Sequence, residues 1–175
     1  FTVVRLQREV GRSSYGGIFV GRYATGSTPS QFTEWNRAYG LDANVQLSAG
    51  QRVSTFFART DTPGDTGSDY AGRMFYDFRN QVWQISGGYS QVGERFNPEV
   101  GFLPRRGYRR PEFRAFFQPQ PKNIPWIRRF APHVSYTSYY GFDEKLQSSN
   151  THFHPLEIQP MQGGRFGWFF DRVQD

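Results

Sequence analysis

Apolar and polar residues change places at every second position along most of this chain, and the segment from Tyr39 to Ser48 shows it most cleanly. Tyr39, Leu41, Ala43, Val45 and Leu47 fall on one side, and Gly40, Asp42, Asn44, Gln46 and Ser48 on the other. A period of two is the pattern of a pleated strand with one apolar face. The same alternation sets Trp83, Ile85 and Tyr89 against Gln84, Ser86, Gly88 and Ser90, and Val134, Tyr136, Tyr140 and Phe142 against His133, Ser135 and Thr137. About ten segments read this way: 2–10, 14–24, 37–48, 51–61, 70–79, 82–92, 108–118, 131–142, 151–159 and 165–172. Helical spacing is hard to find anywhere. The predicted fold class is all-β, an antiparallel meander of about ten strands running through residues 1–175 as a single section.

The links between these segments alternate in length. Gly11 to Ser13, Ala49-Gly50, Asn80-Gln81 and Gln162 to Gly164 are tight and turn-forming. Thr25 to Trp35, Thr62 to Asp69, Gly93 to Gly107 and Asp143 to Asn150 are longer, with one exception to the alternation at Pro119 to Arg129. A soluble sandwich also alternates apolar and polar positions, because its apolar face is a core. It has no reason to gather its long loops at one end. An outer-membrane barrel does, with short periplasmic turns, long outer loops and strands of about 9 to 11 residues. Tyr and Trp near the segment ends, at Tyr15, Tyr23, Trp35, Tyr39, Tyr70, Tyr76 and Trp126, fit interfacial girdles. The expectation is a section of an outer-membrane-type β-barrel, or an open curved sheet covered by a partner. Strand parity starts and ends this section on the outside, whereas complete bacterial barrels have both ends in the periplasm, so a longer native protein is expected.

Composition narrows the class further. The chain has 18 Phe, 10 Tyr and 4 Trp yet a negative mean hydropathy, so its large rings must alternate with polar residues. No apolar run approaches the roughly 20 residues of a membrane-spanning helix. The net charge of +6 comes from 21 basic residues, of which only Lys122 and Lys145 are lysine. Arginine forks suit carboxylates and phosphates, lipid headgroups included. With no cysteine, disulfides and thiolate metal sites are excluded.

Residues with chemical potential are few. His152 and His154 are two apart on a strand and, with His133, admit a three-imidazole metal site. No carboxylate or thiolate stands at an obvious ligand spacing beside them, and polar side chains lining a lumen are the adopted reading. Asp61 to Asp69 is acidic but lacks the spacing and closing Glu of a calcium loop. Glu94 and Glu99 are better explained by ion pairs with Arg95, Arg105 or Arg106 than as a glycosidase pair. No nucleophile elbow or phosphate-cradling loop stands out, so no enzyme activity, catalytic residue, cofactor or metal is assigned. The interleaved Arg and aromatic residues from Arg105 to Phe117 resemble a single-strand nucleic-acid groove. However, Arg110, Glu112 and Arg114 share one face opposite Phe113, Ala115 and Phe117, and basic charge is spread over the chain, so no nucleic-acid partner is expected.

The least strand-like stretch is Glu94 to Arg110. Asn97-Pro98, Gly101, Pro104 and Gly107 make it a long loop at the outer end, folded over the lumen or rim and docked by Phe102 and Leu103. Asn97, Pro98, Glu99, Phe102, Arg105, Arg106, Arg109 and Arg110 are its candidate rim site, with lipid or lipopolysaccharide phosphate as the expected partner. The run from Phe96 to Arg110, with Tyr39 to Gly64 before it and Phe130 to Tyr136 after it, resembles the DUF5916 family; His154 to Gly164 fits a later barrel section of that family. The resemblance covers nearly the whole chain, most specifically Asn97 to Phe102. It implies a bacterial envelope protein with an outer-membrane β-barrel and, outside this stretch, a domain similar to family 9 carbohydrate-binding modules that would contact glycan. It implies anchoring or ligand uptake, with no reaction attached. The alternative is a structural subunit stabilising a larger membrane complex through other membrane proteins.

Overall fold

The computed structural model describes residues 1–26, 34–64, 67 and 69–175. They form strands β1 (Thr2–Val10), β2 (Ser13–Tyr23), β3 (Trp35–Ser48), β4 (Gln51–Asp61), β5 (Tyr70–Arg79), β6 (Trp83–Val92), β7 (Tyr108–Phe117), β8 (Ile127–Phe130), β9 (His133–Tyr140), β10 (Leu146–Pro160) and β11 (Phe166–Gln174). Among the described residues there is no helix. The eleven strands make one antiparallel sheet in the order β1-β2-β3-β4-β5-β6-β7-β9-β10-β11, with β8 pairing β10 off this path. The sheet is not closed. The all-β meander expected from the alternation is therefore what the chain forms.

Register explains the two faces. Val4, Phe19 and Tyr39 lie opposite one another across β1, β2 and β3, as do Leu6, Gly17 and Leu41. The neighbouring row places Gln7, Gly16 and Asp42 in line on the other face. There Arg5 reaches across Gly16 to pair with Asp42, and a Cβ on Gly16 would stand 2.6 Å from the Arg5 Nη2. Only glycine leaves room for that bridge.

Burial is inverted relative to a water-soluble sheet. The largest fully buried side chains are Asn36, Thr60 and Ser138, whereas Leu6, Leu41 and Trp168 are 74%, 69% and 76% exposed. Asn36 and Thr60 are buried and hydrogen-bonded, while large apolar groups of β1, β3 and β11 stand exposed.

Backbone contacts divide the chain into two compact units: Phe1–Gln46, Val53–Met74 and Ser90–Arg109 make the first, and Leu47–Arg52, Phe75–Tyr89 and Arg110–Asp175 the second. The first holds a small apolar cluster of Ala71, Val92 and Phe96, against which Ala58, Leu103 and Tyr108 pack. The second buries Ile127 and Ala131. In the second unit, the turn between β5 and β6 is set by Asn80, whose side-chain oxygen accepts from the amides of Val82 and Trp83 at 2.9 and 2.7 Å.

Three expectations need correction. The link expected at Pro119 to Arg129 runs into the short strand β8, where Phe130 and Arg129 pair with Ile158 and Gln159 and Arg129 Nε donates to Gln159 Oε1 at 2.7 Å; the Ile127–Phe130 sequence has no apolar alternation to announce a strand. The long link expected at Asp143 to Asn150 is a five-residue turn, 141–145, closed by the Gly141 amide on the Lys145 carbonyl at 2.9 Å. The Lys145 amide also bonds the Asp143 carboxylate and holds that group below the usual carboxylate range. β10 then starts at Leu146, and its polar residues Ser148, Ser149 and Asn150 pair with Tyr139, Ser138 and Thr137. Consequently the regular exchange of short and long links ends at β7. The expected loops at Thr25–Trp35 and Thr62–Asp69 fall partly outside the described residues.

Candidate functional site

The rim loop, 93–107, is tied to strand ends in the first unit by a network that sequence spacing did not reveal. Asn36, near the start of β3, donates its side-chain amide to Thr62 Oγ1 at 2.9 Å and to the Asn97 carbonyl at 2.8 Å, and its Oδ1 accepts from the Glu99 amide at 3.3 Å. Thr60 Oγ1 accepts from the Asn97 amide at 3.0 Å. The Asn97 side chain in turn accepts from Arg106 at 2.6 Å. Glu99 pairs with Arg22 at 2.5 Å, its side chain only 5% exposed. Glu99 thus has an ion-pair partner 77 residues away that sequence spacing did not suggest.

Other predicted rim residues divide. Pro98 begins a turn in which its carbonyl accepts the Gly101 amide at 2.9 Å. Gly107 adopts φ +68°, and a Cβ there would press on Glu94 Cγ at 3.2 Å, so this glycine serves the turn as expected. Leu103 docks the loop on the apolar cluster, but Phe102 does not: it is 92% exposed. Arg105 is exposed, and Arg109 is half-buried beside the start of β7. Arg110 belongs to the second unit, where it pairs with Glu112 at 3.2 Å and lies 5.3 Å over the Tyr139 ring.

The second unit brings His133, His152 and His154 together, one ring nitrogen of each lying within 4.8 Å of the others. Register accounts for this: His154 lies opposite His133 across β9 and β10, and His152 lies opposite Asp171 across β10 and β11. His133 stacks on Phe116 with centroids 4.6 Å apart, and His152 and His154 flank Phe169 at 5.9 Å each. The rings border an open hollow of about 390 Å³ that Glu157 and Arg165 also line.

Glu157 is the member that sequence reasoning missed. In an unbroken strand a residue three beyond His154 points to the opposite face. The β10–β11 register shifts between Phe153 and Leu156, however, so one additional residue is accommodated there. This bulge returns Glu157 to the histidine side, with Oε2 at 3.6 Å from His154 Nδ1 and 3.8 Å from His133 Nδ1. Pro155, which has no amide to give a ladder, was the available signal: proline inside a strand marks an edge or a bulge. The reading that no carboxylate accompanies the histidines is corrected accordingly.

By fold the chain is an all-β protein built on one unclosed antiparallel sheet. Comparison with family models, curated proteins and solved structures finds no match.

Proposed function

We propose that this chain is a non-enzymatic, membrane-associated β-barrel section of a bacterial envelope protein, located in the outer membrane and serving as an anchor or for ligand uptake. The inversion of the sheet carries this reading. A face bearing Val4, Leu6, Phe19, Tyr39 and Leu41 needs an apolar neighbour, while the face holding Arg5 and Asp42 is already internally paired. At a midplane strand position hydrocarbon meets the first requirement and a polar lumen the second. Strands of nine residues or more, such as β1, β2 and β11, are long enough to cross. The resemblance of Phe96 to Arg110 to DUF5916 proteins adds the envelope setting, with glycan contact assigned to a domain outside this stretch.

The edges favour a second reading as well. β1 and β11 end the sheet without pairing one another, and unpaired backbone groups are not tolerated in lipid. Further strands of the same protein cover them in the barrel reading; a neighbouring membrane subunit covers them if the chain is a structural accessory. Purification from native membranes separates the two. Extraction only by detergent, as a species whose gel mobility changes on boiling, supports the barrel, and constant stoichiometry with other membrane subunits supports the accessory. Release from membranes by salt or alkaline wash as a monodisperse soluble chain would refute both.

A further inference from the structure

The hydrogen bonds around the three histidines fix where their protons lie. His133 Nδ1 is 2.9 Å from the Ala131 carbonyl, which only accepts, so Nδ1 carries the hydrogen and Nε2 keeps a lone pair. His152 Nδ1 stands 2.5 Å from Asp171 Oδ1, which gives the same tautomer. Yet the two Nε2 atoms face each other at 3.1 Å, a hydrogen-bond distance with no hydrogen to fill it between neutral rings. His154 repeats the theme: its Nδ1 faces Glu157, and its Nε2 is buried with no hydrogen-bond partner. The neighbour that leaves space beside this nitrogen is Gly167, where a Cβ would come within 2.6 Å of it.

A proton shared between His133 and His152 would answer two of these nitrogens and leave the third unserved. A cation answers all three. We propose that His133, His152 and His154 bind one divalent transition-metal ion of the zinc class through Nε2, with Ala131 O and Asp171 holding the Nδ1 hydrogens of His133 and His152 and the Glu157 carboxylate facing His154 Nδ1 at 3.6 Å. Nitrogens about 2.0–2.1 Å from a tetrahedral zinc ion stand roughly 3.3 Å apart, so the His133–His152 pair is already close to ligating separation. The outer carboxylates supply the orientation and added basicity that metal-bound imidazoles ordinarily receive. Glu157 and Asp171 offset the two charges of the ion, and Arg165, which lines the hollow with Glu157, adds one positive charge. The fourth coordination position faces that hollow and takes water or a small anion. All three ligands stand on adjacent strands, with β11 contributing Asp171, so the ion clips the β11 end of the sheet. The site does not depend on what covers the apolar face.

The test is Zn²⁺ titration calorimetry on the full chain in detergent micelles, with Co²⁺ absorption as a second readout. One ion per chain is expected, together with the intense visible bands of tetrahedral Co²⁺. His152→Gln and His154→Gln should each weaken binding by about 100-fold or more, and Asp171→Asn by about 10- to 100-fold because it only positions His152. Acidification should release the ion as the imidazoles take up protons. Far-UV circular dichroism on each variant establishes that the sheet is intact. Absence of saturable binding to the wild-type chain would overturn the proposal. So would binding that His152→Gln and His154→Gln leave unchanged, or octahedral Co²⁺ bands only.

Discussion

The Asn36 network and the histidine cluster are both polar assemblies held by strands, yet they differ in how their atoms are satisfied. Around Asn36 every hydrogen bond described runs from a donor to an acceptor, from Thr62, Asn97 and Glu99 to the Arg22–Glu99 ion pair. Around His133 two acceptors face one another and a third nitrogen is buried without a partner. A completed network fastens a loop; convergent lone pairs held from behind by oxygens await a ligand. The contrast ties Asn97, Glu99 and Arg106, of the rim residues that the sequence singled out, into a structural network, and it is the ground for the binding role proposed for the histidines.

That comparison can be broken or sharpened by substitution. The largest effect is expected at the loop. Glu99→Gln removes the charge of a carboxylate only 5% exposed from its bond with Arg22 Nε, and should cost about 3–5 kcal/mol in reversible unfolding by urea in lipid vesicles. Asn36→Ala strands the Asn97 carbonyl and the Glu99 amide and should cost about 3 kcal/mol in the same assay. A cost under about 1 kcal/mol for both would show that the loop is not held by this network. The cluster should behave in the opposite way. In metal-free protein, His154→Leu removes a buried nitrogen that has no partner, and stability should stay within about 1 kcal/mol or rise. Smallest of all is Phe102→Ser: at 92% exposure it should shift stability by no more than about 0.5 kcal/mol, whereas Leu103→Ser, in the apolar cluster, should be clearly destabilising.

What was legible in the sequence follows the range of the interaction that makes it. Alternation is local, so β1 to β7 were found within about two residues of their observed ends. β8 and the first third of β10 were missed because their sequences carry no apolar alternation and are held by pairing with neighbouring strands. The loop was recognised from its Pro and Gly residues, but its fastening to Asn36, Thr60 and Arg22 was not, since those partners lie 61, 37 and 77 residues away. His152 and His154 could be grouped from strand parity, and His133 joins them through the β9–β10 register. Glu157 could not be so grouped, because the bulge at Pro155 reverses parity between His154 and Glu157. The apolar face was equally readable, though its neighbour was not: alternation specifies which side is greasy and leaves open whether lipid or protein meets it.

Spin-label accessibility answers that last question most directly, and the chain's lack of cysteine makes single labels unambiguous. Leu41 stands on the exposed apolar face of β3, and Asn44 on the opposite face three residues on. With Leu41→Cys and Asn44→Cys labelled in protein reconstituted into liposomes, the label at 41 should be relaxed by lipid-dissolved oxygen and shielded from an aqueous nickel chelate. The label at 44 should show the reverse preference. Equal access of the nickel chelate to both positions would contradict a lipid-facing sheet and would leave the apolar face to a protein partner.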